Sequence, residues 1–152
     1  MESFHNYCSN NEKTVCTVES CTAGLLANKF TTFSGASKWF KGGFVVYTDE
    51  MKSKLLDINI NDIKKKGAVT SDIAKRMCRA GKEKFETDIC IAVTGYIEPS
   101  KDAYCYIAII SDPTKTQTMV VYKIKLNGET RQINQRSIVS FIIDEIEKFC
   151  IL

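Results

Sequence analysis

The sequence predicts an α/β domain, a three-layer α/β/α sandwich around a mixed β-sheet. Early strands alternate with helical segments, two adjacent strands follow without a helix between them, and an amphipathic segment closes the chain. The 152 residues suit a single domain. A composition 44% hydrophobic and 26% charged, with eight glycines and two prolines, supports a folded core and no low-complexity region.

The elements read in order as follows. Residues 1–12 form a polar leader or short helix, in which His5 is expected to be solvated. Thr14 to Val18 is β-branched and alternating, a strand signature, and Ser20-Cys21-Thr22 supplies capping candidates for a helix marked by Leu25, Leu26, Phe30 and Phe33. Ser34-Gly35-Ala36-Ser37 breaks that helix, and Gly42 to Tyr47 gives a second strand. Asp49 is placed to cap a short helix ending at Leu56, and Asn61 to Lys66 forms another helical turn. Ser71 or Asp72 caps a longer helix with Ile73, Met77, Ala80 and Phe85 as its buried stripe. Asp88 to Thr94 is apolar enough for a central strand ended by Gly95. Tyr104 to Ser111 and Gln117 to Leu126 make a hairpin around Asp112-Pro113, and Ile138, Phe141, Ile142, Ile146 and Phe149 define the terminal helix.

Counts then narrow the chemistry. A net charge of +3 is too small to call for a nucleic acid partner. The longest apolar runs fall far short of the roughly 20 residues that cross a bilayer, and the first residues lack the pattern of a signal peptide. Seven cysteines without a Cys-x-x-Cys pair resemble neither a disulfide framework nor a zinc site and fit a reducing cytoplasm. One histidine, in the leader, removes Ser-His-Asp and Cys-His hydrolysis and multi-His metal sites, so acid-base chemistry falls to Lys, Tyr, Asp or Glu.

Two segments can carry such chemistry. Glu19-Ser20-Cys21-Thr22-Ala23-Gly24 lies where a strand turns into a helix, and the backbone N–H groups of such a turn attract anions or an oxyanion. The simpler role for Ser20 or Thr22 is helix capping. In Gly42-Gly43-Phe44-Val45-Val46-Tyr47-Thr48-Asp49-Glu50-Met51-Lys52, Tyr47 ends a strand and Lys52 sits early in the next helix, so both can face the sheet end where α/β proteins bind ligands. A lysine desolvated there serves as a base towards serine, and an exposed helical lysine is the alternative. Cys21 is a third nucleophile candidate, without a histidine to activate it.

These two segments, followed by Gly67-Ala68-Val69-Thr70 and Ala92-Val93-Thr94-Gly95, resemble the CinA carboxy-terminal domain family, in particular its stand-alone members, the nicotinamide-nucleotide amidohydrolases. The resemblance implies hydrolysis of the carboxamide of nicotinamide mononucleotide to nicotinic acid mononucleotide and ammonia, with a pyridine nucleotide as small-molecule partner, no cofactor and no metal, in a homodimer or higher homo-oligomer. Ser20 becomes the nucleophile, Lys52 its base, and Tyr47 the group that shuttles or steadies the proton. Glu19, Cys21, Thr22, Gly24, Gly43, Thr70, Thr94 and Gly95 match positions lining or supporting the pocket. The family's glycine-rich loop after the Thr-Gly step is shortened here to Tyr96-Ile97-Glu98-Pro99-Ser100-Lys101-Asp102-Ala103. Its Gly-Asp-Arg becomes Gly128-Glu129-Thr130, and a later arginine becomes Asn134, so that Arg131 or Arg136 is expected to meet the phosphate. These departures motivate a second reading, a non-catalytic member that binds a nucleotide or a protein partner.

Overall fold

The computed structural model describes residues 1–111 and 117–148. The chain runs α1 (Glu2–Asn10), β1 (Val15–Glu19), α2 (Leu25–Phe30), β2 (Phe40–Val45), α3 (Asp49–Leu56), α4 (Ile60–Lys66), α5 (Ser71–Phe85), β3 (Ile89–Tyr96), β4 (Tyr104–Ser111), β5 (Thr118–Lys125) and α6 (Arg131–Lys148). The five strands form one sheet in the order β2-β1-β3-β4-β5. β1 pairs in parallel with β2 and β3, whereas β3-β4 and β4-β5 are antiparallel, giving the expected mixed sheet.

Side-chain alternation along each strand divides the core into two layers. Val15 of β1 and Ile91 and Val93 of β3 pack with Phe4 of α1, Leu26 of α2 and Ile138 and Ile142 of α6. Cys16 and Val18 of β1 and Cys90 and Ala92 of β3 point the other way, onto Leu56 of α3, Ile63 of α4 and Ile73 and Met77 of α5. β3 is covered on both sides and buried from Ile89 to Thr94, which is why it reads as a near-continuous apolar run. Each fully buried aliphatic side chain of this kind contributes about 1.5–3 kcal/mol. No helix among the described residues is long and apolar enough to cross a membrane.

Several local expectations are corrected. Of the two readings of residues 1–12 the short helix is the one found, with Phe4 and Cys8 of α1 buried in the first layer, but His5 is half-buried and not solvated. Its Nδ1 accepts a hydrogen bond from Trp39 Nε1 at 2.9 Å and its ring stacks on Phe33. Apolar residues four apart outweighed the polar residues between them. Asp49 does not cap α3, because Thr48 Oγ1 accepts from Met51 N, and α5 is capped by Thr70 Oγ1 accepting from Ile73 N. In both cases the cap is a threonine one residue upstream, in the extended conformation a cap requires. Gly95 does not end β3, which pairs through Tyr96 with Tyr104. The Asp112-Pro113 turn and Phe149 lie outside the described residues.

Gly43 sits inside β2 opposite Thr17 of β1. A Cβ there would stand 2.1 Å from Thr17 Oγ1 and 2.8 Å from the Thr17 carbonyl oxygen. The glycine therefore permits two strands to approach, and it is not part of the cavity described below. Gly43→Ala is expected to lower stability by about 1–3 kcal/mol through overpacking, measured by urea unfolding.

Candidate active site

In a sheet of this order, the connection leaving β1 runs towards β2, while the chain returns on the other face to β3 on the opposite side of β1. The carboxyl ends of β1 and β3 thus flank a topological switch point, where α/β sheets open a crevice. A cavity of about 470 Å³ lies there. Ser20 and Cys21 enter it from the end of β1, Tyr47 from the end of β2, Lys52 from α3, Thr94 and Gly95 from β3, and Arg131 from the start of α6. Seven of the residues singled out in the sequence thus meet at one place.

The turn carrying Ser20 is built by Glu19. This carboxylate is fully buried. Its Oε2 accepts from the N–H groups of Gly24 and Leu26, at 3.0 and 3.1 Å, and its Oε1 from Ala27 N at 2.8 Å. A negative charge among the first N–H groups of a helix is favourable. The arrangement corrects two expectations. The α2 terminus does not wait for an anionic ligand, because the protein's own carboxylate fills it. Neither Ser20 nor Thr22 caps the helix, so the Ser20 hydroxyl is left facing the cavity. The Cys21 and Thr22 N–H groups lie outside the Glu19 cradle.

The backbone then turns sharply. Ala23 has φ +51° and Gly24 φ +92°, both left-handed, and such strain in a non-glycine residue persists only where its surroundings enforce it. Gly24 is thus required by its conformation and lies outside the cavity lining. α6 braces the turn from above, with Gln135 Nε2 donating to the Cys21 carbonyl at 2.8 Å.

Lys52 is the unusual residue of the site, with only 2% of its surface exposed. Burial pushes its amine below the ordinary lysine value, opposed chiefly by Asp49, whose carboxylate lies 3.7 Å from Nζ. Lysines are seldom buried to this degree. Cys21 is shifted in the opposite sense: burial pushes its thiol up to about 12, so almost no thiolate exists near neutrality and it is unsuited as a nucleophile.

The remaining predicted site residues have structural partners. Thr94 Oγ1 donates to the Ala68 carbonyl at 3.0 Å, tying the end of β3 to the loop before α5. Thr70 is the α5 cap, and Thr22 Oγ1 is buried without a hydrogen-bond partner; neither lines the cavity. Asn134, where the resemblance places an arginine, is fully buried. Its Oδ1 accepts from Gly128 N at 2.8 Å and its Nδ2 donates to the Ile97 carbonyl at 3.0 Å, so it clamps two loops. Arg136 is exposed and away from the cavity; Arg131 lines it, donating to Tyr47 Oη at 2.9 Å. Lys64 and Glu98 also line the cavity and were not recognised from sequence as site residues. Lys64 is hidden in a run of three lysines, where solvated side chains are the ordinary expectation. Besides Lys52, the cations of Lys64 and Arg131 share this lining with the carboxylates of Asp49 and Glu98.

The family model of the CinA C-terminal domain matches residues 1–150. A CinA-like protein of Petrotoga mobilis is 41% identical over 90 residues, covering 59% of this chain and 22% of that protein. One from Mycobacterium avium is 32% identical over 130 residues, covering 81% of this chain and 30% of that protein. The chain thus spans less than a third of the length of these relatives. Among solved structures, a competence or damage-inducible protein from Enterobacter asburiae superposes with a TM-score of 0.88 at 20% identity, covering 98% of this chain and 94% of that one. A CinA superfamily protein from Klebsiella pneumoniae gives 0.86 at 19% identity, covering 97% and 93%. At these identities the solved structures bear on the fold.

Glu19→Ala would strip three N–H groups of their acceptor. It is expected to cost about 2–4 kcal/mol, read from denaturant midpoints, and to reduce any activity of Ser20 along with stability.

Proposed function

The chain belongs to the CinA C-terminal domain family, and from that membership and the residues gathered in the crevice we propose that it hydrolyses the carboxamide of a pyridine mononucleotide through Ser20, Lys52 and Tyr47. The observation that carries the reading is a buried lysine of lowered pKa sharing one cavity with a serine hydroxyl that no helix cap consumes.

An amide is a poor electrophile, and a neutral serine hydroxyl is a poor nucleophile. The unprotonated Lys52 amine takes the Ser20 proton as Oγ bonds to the carboxamide carbon. The C=O π electrons move onto oxygen, and the N–H of Cys21, which lines the cavity, is the donor offered in the turn to meet that charge. When the oxyanion collapses, the C–N bond breaks and the Lys52 ammonium returns its proton to the departing nitrogen, releasing ammonia. Water, deprotonated by the same amine, then adds to the Ser20 ester; the bond from the acyl carbon to Oγ breaks, the Lys52 ammonium returns the proton to Ser20 Oγ, and the carboxylic acid leaves. Tyr47 accepts a hydrogen bond from Arg131, which leaves its own O–H free to steady the proton. Arg131 and Lys64 in the lining are cations suited to a substrate bearing phosphate. Assembly as a symmetric dimer is proposed with this activity.

The assay is ammonia release from nicotinamide mononucleotide by the purified protein. Ser20→Ala and Lys52→Met are each expected to lower kcat by at least about 100-fold, the contribution of a positioned base or its nucleophile. Release equal to that of either variant would reject the amidohydrolase reading, and binding without turnover would favour the non-catalytic one.

The pH profile has a definite sign. Lys52 must be unprotonated to act, so kcat/KM is expected to rise with pH and level off below the ordinary lysine value of 10.5, since burial lowers its pKa. Asp49→Asn removes the carboxylate that favours the ammonium and is expected to move the rising limb towards acid by up to about one pH unit. A limb moving the other way would contradict this assignment.

A further inference from the structure

Arg131 joins three parts of the fold. It opens α6, its Nη2 donates to Tyr47 beyond β2, and its Nη1 donates to the Glu98 carboxylate beyond β3. β2 and β3 flank β1, so this bridge ties together the two segments on either side of the strand that delivers Ser20. Arg131, Tyr47 and Glu98 all line the cavity that holds Ser20 and Lys52.

A guanidinium presents a planar fork of donors that suits either a carboxylate or a phosphate. Here one arm of the fork is taken by a carboxylate of the protein itself. That contact is open to exchange, because the Glu98 side chain is 72% exposed and Arg131 37%, so water screens their attraction. The backbone beneath is anchored: Ile97 is buried and its carbonyl is held by Asn134 Nδ2. The Glu98 side chain can therefore leave while the loop stays in place. Lys64, which lines the same cavity, offers a second cation to a departing carboxylate's replacement.

We propose that Glu98 is a specificity-determining residue: it occupies the fork of Arg131 in the ligand-free protein, and a phosphate group of the ligand takes its place. A ligand without such an anion leaves the Arg131–Glu98 bridge intact across the cavity. Discrimination between phosphorylated and neutral amides thus comes from an internal competitor that only an anion displaces. That the phosphate belongs to a pyridine nucleotide rests on the amidohydrolase reading, whereas the exchange at Arg131 does not.

The test is a titration with inorganic phosphate, followed by calorimetry, on the wild-type protein and on Glu98→Gln, Asp102→Asn and Arg131→Gln. Glu98→Gln is expected to bind phosphate more tightly by up to about five-fold, the size of an exposed ion pair. Asp102→Asn removes the same charge from the same loop, at a side chain that lines a different cavity, and is expected to bind as wild type does. Arg131→Gln is expected to lose affinity by about ten-fold or more, the worth of a charged hydrogen bond. The proposal is overturned if Glu98→Gln binds no tighter than wild type, if Asp102→Asn tightens equally, or if Arg131→Gln keeps its affinity. With turnover, Glu98→Gln should lower KM for nicotinamide mononucleotide and leave kcat within about two-fold, because the carboxylate acts on binding and not on the reacting bond. A phosphate titration of the expected form without ammonia release would remove the amide chemistry alone. Ammonia release with a flat titration would remove the Glu98 exchange alone.

Discussion

The site depends on taking one amine out of water. An isolated ammonium loses hydration when buried, and the fold accepts that cost at Lys52 with only a partial return from Asp49, a half-exposed carboxylate 3.7 Å away. The consequence for stability has a fixed sign. Between the depressed pKa of the folded protein and the ordinary value of the unfolded chain, the unfolded state binds more protons, so Lys52 makes stability rise with pH across that interval and subtracts from it below. A residue that weakens the fold at neutral pH and shares a crevice with a serine is an expected sign of function over stability.

The rest of the crevice is arranged around that amine. Glu19 turns its charge inward, holds the first turn of α2 and leaves the Ser20 hydroxyl uncommitted. Gln135 and Asn134, neighbours on α6, fix the Cys21 carbonyl and the Ile97 carbonyl, so one helix sets the positions of the β1 turn and the loop after β3. Arg131, at the start of the same helix, reaches across to Tyr47. α6 therefore couples three strand ends, although only its first residue touches the cavity among the residues just named.

Much of this was legible in the sequence, for identifiable reasons. The mixed sheet and its layers follow from β-branched runs alternating with helical spacing, a signal strong in β1, β3, β4 and α6. The meeting of Ser20, Tyr47 and Lys52 follows from the places of Ser20 and Tyr47 just past strand ends and of Lys52 in the first turn of the following helix, which an α/β topology directs to one edge. What sequence could not show depends on tertiary contacts. Glu19 reads no further than a residue lining or supporting the pocket until its bonds to Gly24, Leu26 and Ala27 are seen, and Gly43 reads the same way until Thr17 is found against it. The leader reads as polar because only Phe4 and Cys8 carry its buried face, and His5 became a partner of Trp39 across 34 positions of chain. Asn134 reads as a lost arginine; in the fold it is a clamp, and the cation at the cavity comes from Arg131.

The most direct measurement of the central claim is the titration of the Lys52 side chain itself, by nuclear magnetic resonance of a protein carrying isotope-labelled lysine, with Lys52→Met to assign the signal. The account predicts that Lys52 loses its proton at lower pH than the other lysines and below the ordinary value of 10.5. A Lys52 that titrates with the surface lysines or above them would mean that the amine is a solvated or firmly paired cation, and Ser20 would be left without its base.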